Sequence, residues 1–228
     1  MKTIGLIGGM SWESSAHYYR IINEEVRAAL GGSHSARILM YSYDFDEIER
    51  LQRAGAWDTM RASLFDVGRR LKAAGADFAV LCTNTMHKVM DGFEDEVGIP
   101  LLHIVDVAGE AMASFDIKRI GLLGTRFTME EDFYSARLKR GFDIDVLVPD
   151  AQGRATVDRI IFQELVRGII KDDSRQAYRA VMDDLVARGA EAILLGCTEI
   201  GLLVTEYSAP LFDTTPLHAR RAALLSLE

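Results

Sequence analysis

The sequence predicts an α/β chain of two similar parallel-sheet domains. Three observations predict it. Short apolar runs alternate with longer amphipathic stretches, the pattern of strands joined by crossover helices. A glycine-bearing strand occurs twice: Lys2-Thr3-Ile4-Gly5-Leu6-Ile7-Gly8-Gly9 matches Lys118-Arg119-Ile120-Gly121-Leu122-Leu123-Gly124-Thr125, with five of eight positions identical. Other segments then recur in the same order. Tyr18-Tyr19 matches Phe133-Tyr134, Gly75 to Thr85 matches Gly189 to Glu199, and Pro100 to His103 matches Pro210 to Asp213. Four ordered matches point to two copies of one unit.

The elements follow from the periodicity. Ile4–Ile7 reads as a buried strand and Ser11–Leu30 as a helix, with Ser11 or Ser14 near its cap. Arg37–Tyr43 is a strand, followed by helices over Asp46–Arg53 and Asp58–Ala74. Phe78–Leu81 is a strand and Leu101–Ile104 a short one. The second copy begins with the strand Ile120–Leu123, a helix over Met129–Arg140 and the strand Ile144–Val148. Helices over Thr156–Ile170 and Ser174–Arg188 follow, then strands at Ile193–Leu195 and Leu211–Phe212. A helix over Pro216–Leu227 closes the chain. The expected division is residues 1–103 with 208–228, the latter a returning C-terminal helix, against residues 104–207. The arrangement is two pseudo-symmetric, Rossmann-like parallel-sheet domains with the active site between them. Ligands in open α/β sheets bind beyond the carboxyl ends of the strands, and sites at domain interfaces are common.

Composition narrows the function. The chain has 228 residues, 49% hydrophobic and 26% charged, as in an ordinary globular protein. Its net charge of −8 speaks against a general nucleic-acid binder, which needs a basic face. No apolar run is long enough for a membrane helix. The first residues lack the small-residue cleavage pattern of a leader. A reducing cytoplasm is the expected setting. Two cysteines, Cys82 and Cys197, are too few for a disulfide framework or a structural zinc site. His87 and His103 lack a metal-ligand spacing with either, and are expected as capping or surface residues. No metal site is expected.

The strand-end residues carry the candidate chemistry. Cys197-Thr198-Glu199 follows a strand and precedes a helical stretch. A thiol at a helix N-terminus is expected to have a lowered pKa and to act as base or nucleophile. The hydroxyl of Thr198 and nearby N–H groups would hold a carboxylate or oxyanion. A buried structural cysteine is an equally good reading of the position alone. The repeat pairs Cys197 with Thr83, not with Cys82. Successive strand residues point to opposite faces, so Cys82 is expected in the packing beneath. Thr83-Asn84-Thr85 also suits a helix N-cap. Gly5-Leu6-Ile7-Gly8-Gly9 is not a dinucleotide fingerprint, because Ile7 stands where glycine is required. Its expected role is a tight turn with close backbone approach to a small anion.

Gly-Gly-Met-Ser-Trp-Glu-Ser, Thr-Asn-Thr-Met-His-Lys and Gly-Cys-Thr-Glu-Ile together resemble the cofactor-independent aspartate/glutamate racemases. The resemblance covers essentially the whole chain. It is nearest the enterobacterial branch of L-aspartate/glutamate-specific, broad-specificity amino-acid racemases. It implies proton transfer between two bases without pyridoxal phosphate or any other cofactor. It also implies a homodimer and a small amino-acid substrate, with no nucleic-acid or membrane partner. One cysteine of the family, usually in Cys-Asn-Thr, works on one face of Cα; the other, in Gly-Cys-Thr, works on the opposite face. Here Thr83 replaces the first. A threonine hydroxyl is a poor base at neutral pH, so the expected reaction runs from the L-isomer. Cys197 removes the α-proton, and Thr83 or a water it holds returns one. The resemblance further implies that Met10, Asn84, Thr85 and Thr198 bind the α-carboxylate and ammonium groups. Glu199 pairs with the ammonium group or orients Cys197. Gln52 stands where strict aspartate racemases are expected to carry a basic residue, and Thr125 follows the repeated strand. Gln52 also suits an exposed helix face, and Arg167 a solvated one. Two other readings stay open: a thiol-using maleate isomerase-like or arylmalonate decarboxylase-like enzyme, and a non-catalytic amino-acid-binding relative.

Overall fold

A computed structural model describes all 228 residues. By its internal contacts the chain divides into two units, Met1–Ile104 with His218–Glu228, and Val105–Leu217.

The first unit runs β1 (Thr3–Gly8), α1 (Trp12–Leu30), β2 (Arg37–Ser42), α2 (Phe45–Arg53), α3 (Trp57–Ala73), β3 (Phe78–Leu81), a 3₁₀ segment over Thr85–Val89, α4 (Phe93–Val97) and β4 (Leu101–Leu102). Its sheet has the order β2-β1-β3-β4, all parallel. Every residue of β3 and all but the first of β1 are buried, while the edge strand β2 is half open. That follows from helices on both faces of a parallel sheet. Ile4, Leu6, Phe78 and Val80 pack with Tyr18, Ile22 and Val26 of α1 on one face. Ile7, Ala79 and Leu81 pack with Leu64, Phe65 and Leu71 of α3 on the other. Gly5 lets α3 and the turn after it come close: a Cβ there would lie 3.4 Å from the Leu71 Cβ and 3.0 Å from the Ala76 Cβ.

The second unit opens from α5 (Ile104–Ala113). It continues through β5 (Arg119–Gly124), α6 (Arg126–Glu130), α7 (Asp132–Phe142), β6 (Asp145–Leu147) and α8 (Ala151–Gln163). A 3₁₀ segment over Leu165–Arg167 leads to α9 (Asp172–Ala187), β7 (Ala192–Gly196), α10 (Ile200–Leu203) and β8 (Leu211–Asp213). Its order, β6-β5-β7-β8, is again all parallel. The two sheets therefore share one strand permutation, as the sequence repeat predicts. In both, the first strand sits beside the third, so the chain leaves this central pair in opposite directions. That is the switch point at which α/β sheets open a crevice. The last helix, α11 (Thr214–Leu227), begins in the second unit and ends in the first.

Several boundaries differ from expectation. β8 pairs with β7, so residues 208–217, expected with the first half, belong to the second. β4 ends at Leu102, and Ile104 already opens α5. The single helix expected over Met129–Arg140 is two, broken at Glu131, whose backbone is extended. α8 begins at Ala151 because Asp150 caps it, accepting from the Gly153 N–H at 2.7 Å. It stops at Gln163, and Gly168 at φ +69° turns the chain toward α9. Caps and breaks of this kind leave apolar periodicity unchanged, which is why the pattern ran through them.

Candidate active site

In the second unit the switch point lies at the ends of β5 and β7, where Gly124 is paired with Gly196. Cys197, Thr198 and Glu199 follow β7 directly and are all buried. The Cys197 thiol donates to Glu199 Oε2 at 3.1 Å, and the Thr198 hydroxyl donates to the same oxygen at 2.8 Å. Burial first, and then the Glu199 carboxylate, push the thiol well above its ordinary pKa. This corrects the expected lowering. The helix that follows, α10, has only four residues, too few for a strong N-terminal dipole, and the nearest charge is an anion. The resting group is thus a thiol hydrogen-bonded to a carboxylate. Thr125 follows β5 and caps α6, its Oγ1 accepting from the Thr128 N–H at 3.4 Å.

A further carboxyl lies near Cys197. Asp213 ends β8 opposite Leu195, and its Oδ1 accepts from the Thr215 N–H at 2.9 Å. Burial, with a smaller contribution from Glu199, pushes it up to about 6. Sequence reasoning gave Asp213 no role, although the repeat had marked its strand end.

In the first unit the corresponding ends are those of β1 and β3. Cys82 is fully buried among Ile4, Leu6 and Tyr18, where burial pushes its thiol far up. Thr83 stands at the edge of burial, with Asn84 and Thr85 more deeply enclosed. Asn84 precedes the 3₁₀ segment but makes no side-chain cap bond. Gln52 is buried on α2 rather than exposed, and its Nε2 donates to Met86 Sδ at 3.2 Å, beside the Thr83 loop. Met10 is buried after β1. The expected anion contact at the glycines is not available at Gly9, whose N–H donates to Ser15 Oγ at 2.8 Å. Gly9 serves a turn: its φ is +87°, and any Cβ would strike the Tyr43 backbone. Ser11 caps α1. Arg167 is exposed on its 3₁₀ segment.

Sequence reasoning missed the histidines. His87, His103 and His218 are buried, not on the surface, and their rings gather behind Thr83. Their spacing of 16 and 115 residues along the chain hides this from any local pattern.

Residues 7–222 match the sequence model of the Asp/Glu/hydantoin racemase family. The chain is 22% identical to the broad-specificity amino-acid racemase RacX of Bacillus subtilis over 95% of both chains. Its fold is similar to that of a candidate Asp/Glu racemase from Yersinia pestis, at TM-score 0.93 and 52% identity over the full length of both. It is also similar to an aspartate racemase homologue from Pyrococcus horikoshii, at TM-score 0.86 and 31% identity, again over both full lengths. The match spans nearly all of both sheets and both strand-end loops, and the chain belongs to the Asp/Glu/hydantoin racemase family.

Proposed function

We propose that this racemase converts L-aspartate and L-glutamate to their D-isomers, with Cys197 and Thr83 on opposite faces of Cα and with the L-isomer as the favoured substrate. The observation that carries the proposal is positional. Thr83 and Cys197 occupy equivalent places in the duplicated fold: Leu81 pairs with Ile7 as Leu195 pairs with Leu123, and each residue stands two positions past that paired leucine. A two-base racemase needs two such groups.

The steps follow from the local chemistry. Glu199 Oε2 accepts the thiol proton across 3.1 Å. The thiolate takes the α-proton of the L-isomer. A proton from the Thr83 hydroxyl, or from a water it holds, reaches the opposite face; solvent restores that proton and takes up the one left on Glu199. The reverse direction asks the Thr83 oxygen to act as base, and its low acidity makes that slow. Met10, Gln52, Asn84, Thr85, Thr125 and Thr198 are proposed to hold the substrate. Gln52 carries no charge, so it binds a distal carboxylate less tightly than arginine would, which favours loose side-chain selectivity. A homodimer rests on the family resemblance, and sedimentation equilibrium checks it.

Chiral product analysis over a panel of L- and D-amino acids in heavy water tests the reading. D-Aspartate and D-glutamate with deuterium at Cα are expected from the L-isomers, and slower turnover from the D-isomers. Cys197→Ser is expected to lower kcat/KM by about 10²–10⁴-fold. Equal turnover from both isomers would refute the assigned asymmetry. Binding without α-proton exchange would leave an amino-acid-binding relative instead.

A further inference from the structure

The Thr83 loop is held from behind by a ring that the repeat does not duplicate. Thr83 is followed at the fourth place by His87, in the middle of the 3₁₀ segment. His87 is buried, with only 3% of its surface exposed. Its Nδ1 lies 2.8 Å from the Thr83 carbonyl oxygen, and its Nε2 lies 3.3 Å from the Ile104 backbone nitrogen. An amide N–H only donates, so Nε2 must accept. The ring hydrogen then sits on Nδ1 and is donated to Thr83. This is a single neutral tautomer, set by two backbone partners of opposite kind. The His103 ring packs against it at 4.5 Å between centroids. His218 lies at 6.0 Å and is itself fixed, by Tyr18 Oη on Nδ1 and the Leu102 carbonyl on Nε2.

The second unit lacks this brace. Counting on from the paired segments, Gly201 takes the place of His87 and Asp213 that of His103. A side chain at Gly201 would collide with the Asp213 carboxylate. The Cys197 loop is tied by its own Glu199 instead. The ring brace therefore exists only on the side whose reacting group is a threonine. A weakly acidic hydroxyl has no reactivity to spare for a loose position.

We infer that His87 is a positioning residue for the Thr83 side of the reaction: it fixes the Thr83 carbonyl to the start of α5 and so sets the direction of the Thr83 hydroxyl. This rests on the reading of Thr83 as the second proton site. Asparagine and glutamine divide the two bonds of the ring. The amide N–H of His87→Asn can replace Nδ1–H toward Thr83, whereas the amide oxygen of His87→Gln can replace only Nε2 toward Ile104.

The test measures two quantities for each variant with L-aspartate in heavy water: D-aspartate formed, and deuterium entering recovered L-aspartate. The first needs both faces, the second only Cys197. A displacement of about 1 Å at a reacting group costs on the order of 10²-fold. His87→Ala and His87→Gln are accordingly expected to lose D-aspartate formation by at least about tenfold, while keeping deuterium entry into the L-isomer. His87→Asn is expected to stay within about threefold of the wild type on both. Parallel loss of both quantities, or glutamine restoring as much as asparagine, would overturn the inference. Should His87→Ala fail to fold, the asparagine–glutamine pair decides. The brace is also read without turnover. Nitrogen-15 spectra are expected to show His87 as the Nδ1–H tautomer. Amide exchange at Thr83 to Thr85 should quicken in His87→Gln and not in His87→Asn. An Nε2–H tautomer, or unchanged exchange in His87→Gln, would overturn it. If the wild type shows no α-proton exchange, the racemase reading falls while these spectra still decide the brace.

Discussion

At Cys197 the surroundings favour the protonated thiol. Burial and the Glu199 carboxylate both oppose the thiolate, so in the proposed mechanism the base forms by handing its proton to that carboxylate. Glu199→Gln keeps the shape and removes the acceptor. Its kcat is expected to fall by about 10²-fold or more, measured as initial rates on L-aspartate. At Thr83 the opposite change is informative. Thr83→Cys restores a second thiol, and the turnover of D-aspartate is expected to rise toward that of L-aspartate. No rise would mean that the position is not a proton site. Asp213 gives a prediction of another kind. Its folded pKa of about 6 lies above the ordinary aspartate value of 3.8. Its contribution to stability is therefore present below about pH 4 and lost as pH rises through about 6. The shift corresponds to a loss on the order of 3 kcal/mol. Asp213→Asn is expected to remove that loss, seen as a higher urea midpoint at pH 7 than the wild type.

The proposed proton-transfer residues, Thr83 and Cys197, stand on short strand-end loops rather than on long elements. The glycines at these ends decide what can approach. Gly9 combines positive φ with a backbone neighbour where Cβ would stand, so Gly9→Ala is expected to cost at least about 2 kcal/mol. Denaturant titration checks it. The helices behind the loops were legible, because α1, α3 and α9 are long and amphipathic. The 3₁₀ segment over Thr85–Val89 and the four-residue α10 were not, since neither holds enough turns to show a period. They nevertheless hold the groups the proposals turn on: His87 lies in the first, and Glu199 directly precedes the second.

Over the whole chain, pH acts on the two units in opposite senses. His218, buried in the first unit, has its pKa pushed from 6.5 down to about 4. It therefore contributes stability above about pH 6.5 that is lost as pH falls through about 4, on the order of 3 kcal/mol. Asp213, in the second unit, loses its contribution as pH rises through much the same window. The two offset each other in the wild type. Against the wild type, His218→Gln should gain stability as pH falls from about 7 to 4, and Asp213→Asn should lose it; urea midpoints over that range read both. The sequence by itself determined the duplicated α/β architecture, the pairing of Cys197 with Thr83 in the repeat, and the burial of Cys82 in the packing. Each of these follows from local periodicity, or from comparing one half of the chain with the other. Only the tertiary structure decided that residues 208–217 belong to the second unit, that the Cys197 thiol is hydrogen-bonded to Glu199, and that three histidines gather behind Thr83. Those depend on which distant segments share a buried volume. In such a volume, desolvation and hydrogen-bond partners, rather than residue type, set the charge and the tautomer.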